Sequence, residues 1–166
     1  MAQPSPSDAW PPVERAAEFD SSFADVYREL QLPMVRLACA LTGSETLAQD
    51  LVHDAFIGAH ARWNRIDHPR SYIRASVVNA CRSASRRAKR ERSAEPLFVV
   101  EDRALEADEM FDALSALPYR QRAALVLQFY EGLRQSEIAE ILHCREGTVA
   151  SLVHRGLAQL RRVIDQ

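Results

Sequence analysis

The sequence predicts an all-α protein built from two small helical domains joined by a flexible linker. Three observations carry that expectation. Apolar residues recur at helical spacing from about residue 19 to 90 and again from about 108 to 164. Strand-type alternation is almost absent, and the intervening SAEPLFVVEDRALEAD combines a proline with a run of acids. The expected order is a disordered tail over 1–17, a first domain over 18–92, a linker over 93–107 and a second domain over 108–166. The tail is expected from the Pro/Ser-rich start MAQPSPSDAWPP, and the short apolar LFVV of the linker can pack on one of the domains.

A chain of 166 residues, 47% of them hydrophobic, has enough apolar material for packed cores. No apolar run approaches the roughly 18–20 residues that span a bilayer, and no stretch resembles a signal peptide. Cys39, Cys81 and Cys144 are odd in number, scattered and without C-x-x-C spacing, which argues against disulfides and zinc and for a reducing cytosol. The formal net charge of −2 hides a strong asymmetry. Residues 70–92 hold eight Lys or Arg against Glu91 alone, whereas residues 1–69 hold five Arg against ten acids. One basic block in an otherwise acidic chain points to a polyanion partner at that block.

The first informative helix is expected near 47–63, LAQDLVHDAFIGAHARW. At about 100° per residue, Ala48, Val52, Ala55, Phe56, Ala59 and Trp63 form a core stripe. The opposite side carries Asp50, His53, Asp54, Ile57 and Ala61. An isoleucine among carboxylates suits a protein partner with cations around an apolar centre. His53 and His60 lie seven apart on one helix, a spacing read as surface positions rather than as metal ligation.

The next helix, near 70–90, places Ile73, Val77, Ala80, Cys81 and Ala84 on a core face. Its other side collects Tyr72, Asn79, Arg82, Ser83 and Arg86, with small Ala75 and Ser76 permitting close approach. Guanidiniums clamp phosphates, an aromatic ring stacks on an unpaired base and an asparagine reads a base edge, so this face points to nucleic acid. In the second domain Ser136 can cap a short helix running to about Leu142, and a turn over His143–Glu146 leads into a longer helix with Val149, Leu152, Val153, Leu157 and Leu160 on one stripe. Short helix, tight turn and longer helix form a helix-turn-helix pattern, with small Ala139 allowing the close crossing.

At these residues the chain resembles the extracytoplasmic-function (ECF) sigma factors of the sigma-70 family. The likeness covers roughly residues 19–164 and rests on DLVHDAFI (50–57), SYIRASVVNACRSASRR (71–87) and LPYRQRAALVLQFYEGLRQSEIAEIL followed by GTV and HRGLAQLR (117–161). It implies sigma region 2 in the first domain and region 4 in the second. Asp50, Leu51, His53, Asp54 and Ile57 would then dock on the β′ clamp helices of core RNA polymerase. Trp63, Tyr72, Arg74, Asn79, Arg82, Ser83 and Arg86 would melt and read the −10 element of promoter DNA, with the loop Asn64–Pro69 capturing a flipped base. Arg145, Thr148, Val149, Ser151, His154 and Arg155 would read the −35 element, and the same domain would touch the β flap. The resemblance further implies an anti-sigma factor as regulator and a cytoplasmic location. It implies no catalytic residue, metal, cofactor, small-molecule substrate or membrane insertion. A sigma-like regulator that binds polymerase or an anti-sigma partner without directing initiation stays open as a second reading.

Several positions depart from the family's LGCS-x-GTVKSRLHRAL. His143 stands for a glycine suited to the left-handed conformation, and Arg145 for a capping serine, at a cost of about 1 kcal/mol. Ala150 and Leu152 stand for Lys and Arg, which on the counterion argument removes two phosphate contacts and flattens the salt dependence by nearly two units of slope. Ser83 stands near the acid of the family's N-A-x-x-D pattern. Most affinity is therefore expected from polymerase and the −10 helix, with a weaker and more selective −35 reading.

Overall fold

The computed structural model describes the backbone of residues 13–94 and 109–164, with side chains placed for 22–91 and 110–162. Residues 1–12 of the expected tail and the LFVV stretch of the expected linker lie outside the described residues.

The first domain is three helices, α1 (Val13–Thr42), α2 (Glu45–His60) and α3 (Pro69–Ala94). Helix α1 thus starts before the boundary expected at residue 18. It ends where Gly43 takes a positive φ of 73° and returns its amide to the Cys39 carbonyl at 2.8 Å. Ser44 then opens α2 by accepting the Leu47 amide at 3.3 Å. The core joins Met34, Leu37 and Leu41 of α1, Val52 and Phe56 of α2, and Ile73, Val77 and Cys81 of α3, all essentially closed to solvent. The stripe expected on α2 is realised with one adjustment. The helix stops at His60, and Trp63 enters the core from a separate 3-10 turn, Trp63–Arg65.

The second domain comprises α4 (Glu109–Ser115), α5 (Tyr119–Leu125), a π turn (Val126–Tyr130), α6 (Gln135–Leu142) and α7 (Glu146–Ile164). In the π turn the Glu131 amide reaches back five residues to the Val126 carbonyl, at 3.1 Å. Helix α6 begins earlier than expected. Ser136 lies exposed inside its first turn, and the end is closed instead by the Glu137 carboxylate, which accepts the Arg134 amide at 2.8 Å. His143 does adopt the left-handed conformation, φ 51° and ψ 55°. Helices α5 and α7 approach closely at Gly156, where an added Cβ would lie 2.8 Å from Leu125 Cδ1.

The two expected helical domains are present, and their described parts pack against each other. Their buried side chains form one continuous cluster, and α4 and α5 lie against α1 while α5 and α6 lie against α3. Polar contacts between described residues span the seam. Arg74 Nε donates to Glu131 Oε2 at 2.7 Å, the Tyr119 hydroxyl to the Val78 carbonyl at 2.7 Å, and Arg122 Nη1 to the Leu41 carbonyl at 2.6 Å.

Candidate polymerase and nucleic-acid interfaces

On α2 the outward face forms as its spacing demands. Asp50, His53, Asp54 and Ala61 are exposed, and Ile57 on the same side as the Asp50 and Asp54 carboxylates is 56% exposed, a large apolar side chain. Leu51 differs: it packs partly against the core, so only its outer edge can join that face. The base of the helix is fixed by an aromatic cluster in which Phe23 meets Trp63 edge-on at 5.0 Å and Tyr27 meets Phe56 at 4.9 Å. This corrects the assignment of Trp63 to DNA. Its ring is 8% exposed and committed to Phe23, as its place on the core stripe requires.

Helix α3 separates into two working faces. Tyr72 and Asn79 are half-buried while Ser83 and Arg86 are exposed on the same side, so an aromatic, an amide, a hydroxyl and a guanidinium line up along the helix. Arg82 borders this row, half-buried, and Arg87 and Arg90 extend the basic surface beyond the residues singled out from sequence. An ion pair from the helix's first turn, Arg70 to Glu29 of α1, fixes its start and holds the Glu29 carboxyl below its ordinary value.

Arg74 was expected on the DNA face and is not there. It lies near 200° from Tyr72 around the helix axis, on the side of Val78, and its guanidinium is paired with Glu131 at 22% and 9% side-chain exposure. Val78, only 1% exposed, is a further buried residue of this seam that sequence reading missed. Cys81 lies buried behind it, and desolvation pushes its thiol up to about 12. Burial likewise raises the Tyr119 phenol, whose hydroxyl is bonded to the Val78 carbonyl.

In the helix-turn-helix, α6 and α7 pack together, with Ile138, Ala139, Leu142, Val149, Leu152 and Val153 buried. Val149 therefore belongs to the core and not to the DNA-facing set, because it occupies the centre of the apolar stripe. Leu152 is 6% exposed, so the missing cation there is a packing choice rather than an open phosphate site. Arg145, Gly147, Ala150, Ser151, His154 and Arg155 are exposed along the outer side, and Thr148 is half-buried at its edge. Ser151 Oγ bonds the Gly147 carbonyl at 3.0 Å and Arg155 Nε the Ser151 carbonyl at 3.2 Å. Thr148 and Val149 amides both turn to the Arg145 carbonyl, so Arg145 stands at the helix entrance without a side-chain cap.

Among the described residues no group of three His, Cys, Asp or Glu could hold a metal ion, and no helix is long and apolar enough to cross a membrane. A basic helix and a helix-turn-helix on one helical frame define a nucleic-acid-binding protein. Comparison with known proteins narrows this. Sigma-70 region 2 matches residues 26–91 and sigma-70 region 4 matches residues 107–160. The ECF RNA polymerase sigma factor SigM of Mycobacterium tuberculosis is 32% identical over 154 residues, covering 88% of this chain and 76% of that protein. The RNA polymerase sigma-E factor of Streptomyces coelicolor is 29% identical over 148 residues, covering 84% of each. Among solved structures, the sigma factor RpoE in complex with the anti-sigma factor NepR from Bartonella quintana superposes with a TM-score of 0.74 at 22% identity, covering 87% of this chain and 97% of that one. CnrH in complex with the cytosolic domain of CnrY gives 0.67 at 22% identity, covering 90% and 94%. The chain belongs to the ECF sigma factors of the sigma-70 family, and as such is a transcription initiation factor rather than an enzyme.

Proposed function

We propose that this chain carries core RNA polymerase to a set of promoters and opens them, with labour divided among three faces. The Asp50, His53, Asp54 and Ile57 face of α2 docks on the β′ clamp helices, its apolar centre supplying affinity and its carboxylates orientation. The Tyr72, Asn79, Arg82, Ser83 and Arg86 row of α3 holds the −10 strand by stacking, base-edge hydrogen bonding and phosphate contact. The outer side of α7, with Arg145, Thr148, Ser151, His154 and Arg155, reads the −35 element. Its contribution is small because Ala150 and Ser151 put no cation in the middle of that exposed face.

One observation carries the reading. The exposed Ile57 and the Tyr72–Arg86 row, half-buried at Tyr72, Asn79 and Arg82 and open at Ser83 and Arg86, lie on adjacent helices of one core, so docking on polymerase presents the basic row to DNA. Because polymerase works there, the place of action is the cytoplasm. The solved relatives bound to NepR and to CnrY support an anti-sigma factor as a further partner. Run-off transcription with purified core polymerase over a genomic promoter library tests the reading. Specific transcripts are expected; core binding with no transcript from any promoter would instead mark a regulator that occupies polymerase without initiating.

A further inference from the structure

The exposed side of α7 holds its cations at the edges rather than in the middle. Arg145 stands at the helix entrance, and Arg155 at the far edge ties its Nε to the Ser151 carbonyl at 3.2 Å. Between them the outward positions are Gly147, Ala150, Ser151 and His154. A helix-turn-helix enters the major groove with the N-terminal part of its second helix, so these positions meet the DNA. His154 is the titratable one among them. Its neighbours one turn away, Ala150, Ser151, Leu157 and Ala158, carry no charge, and Arg161 and Arg162 lie two turns on, roughly 10–12 Å along the axis. The elements packed on α7 bring other charged and titratable groups. From α5, Arg120 donates to the Leu142 carbonyl, Arg122 to the Leu41 carbonyl and the Tyr119 hydroxyl to the Val78 carbonyl. From α6, Glu137 closes the start of its own helix, and Glu140 lines a groove at the turn with His143, Arg145 and Glu146. Asp112 comes from α4. His143 therefore shares its groove with two carboxylates that offset its charge, whereas His154 faces solvent.

We propose that His154 is a proton-dependent phosphate contact of the −35 face, so that this face grips DNA more tightly as pH falls. This rests on the promoter-reading function above and adds its regulation. Histidine ordinarily changes charge between about pH 5 and 8, and its imidazolium, unlike the neutral ring, can displace a counterion from DNA. DNA therefore favours the protonated form. The contact is present at low pH and is lost as pH climbs through the imidazole range. The Tyr72–Arg86 row differs, because its cations are guanidiniums that stay charged throughout. Acidification shifts the weight of promoter reading from the −10 toward the −35 element, and so changes the order in which promoters are preferred.

Nuclear magnetic resonance of the full chain tests the contact. The His154 Hε1 signal, identified by its loss in His154→Ala, is titrated in the free chain and on a mixed-sequence duplex of about 20 base pairs, since phosphate contact needs no particular sequence. Its midpoint should rise on DNA by about half a unit or more, equivalent to about threefold tighter binding of the protonated form. An unchanged midpoint would overturn the proposal, and so would a lowered one, which would mark a neutral imidazole reading a base edge. Anisotropy titrations of the same duplex, fluorescein-labelled, at about pH 5.5 and about pH 7.5 and one ionic strength give a second readout. Wild type should bind about threefold or more tightly at the lower pH. His154→Ala should lose that gain, His154→Lys should bind tightly at both pH values, and His143→Ala should respond as wild type does. Equal pH responses in wild type and a folded His154→Ala, with helicity checked by circular dichroism, would overturn the assignment. Neither arm uses polymerase or a promoter. Absence of transcripts from wild type would therefore sink the promoter-reading function while leaving the His154 contact standing.

Discussion

The Tyr119 hydroxyl donates to the Val78 carbonyl at 2.7 Å, joining the first residue of α5 to the middle of α3. Tyr119→Phe deletes that bond and leaves the ring packing, so it should lower the unfolding free energy by about 1 kcal/mol in urea titration at neutral pH. Burial also makes the seam sensitive to alkali. Tyr119 and Cys81 both have raised folded-state pKa values, Cys81 from 9.0 to about 12, so each prefers to stay neutral in the folded chain. Their contribution is complete below the unfolded values and is lost as pH climbs from about 9 toward 12. The thermal midpoint should fall across that window, and less steeply in Tyr119→Phe, which has one fewer group to ionise.

Ile57→Glu should weaken association with core polymerase by tenfold or more while leaving the fold intact, because Ile57 is exposed and its loss opens no cavity. Co-purification with tagged polymerase checks this, and unchanged recovery would refute the docking face.

Asn79→Ala should reduce promoter opening, read by permanganate reactivity of unpaired thymines, without changing core association. Loss of core binding in this variant would mean that the faces of α2 and α3 have been assigned to the wrong partners.

The two departures on α7 should separate cleanly. Ala150→Lys adds a cation on the exposed side and should strengthen −35 binding, steepening the salt dependence by about 0.9 unit of slope. Leu152→Arg, expected from the family pattern to do the same, should instead destabilise the second domain by about 2–4 kcal/mol, because it places a charge in the core. Anisotropy titrations at several salt concentrations and thermal melts distinguish the two outcomes.

Much of this was legible in the sequence because helix faces follow from spacing alone. The Ile57 face, the Tyr72–Arg86 row and the buried stripe of α7 all appear where a 100° step puts them. At three positions the resemblance and the helical periodicity point to different places. The resemblance assigned Trp63, Arg74 and Val149 to DNA, whereas the first and last lie on apolar stripes and Arg74 is turned away from Tyr72. The seam was illegible because its partners are distant in the chain: Arg74 and Glu131 are 57 residues apart, Tyr119 and Val78 are 41 apart. The adjacent valines 77 and 78 were a signal, since neighbours 100° apart widen the apolar surface beyond a single stripe. The start of α6 was missed for a different reason: two oxygen-bearing side chains, Ser136 and Glu137, compete for one end, and sequence does not rank them.

The π turn over Val126–Tyr130 gives that segment a meaning that its length does not suggest. A π turn holds one residue more than the α-helical turn it replaces, and each residue swings the following side chain by about 100°. Here that extra residue leaves Phe129 and Tyr130 outward and Glu131 turned toward Arg74. Helix registry within the second domain therefore sets which charge the first domain meets, so a one-residue change in this turn would act on domain assembly without touching either partner.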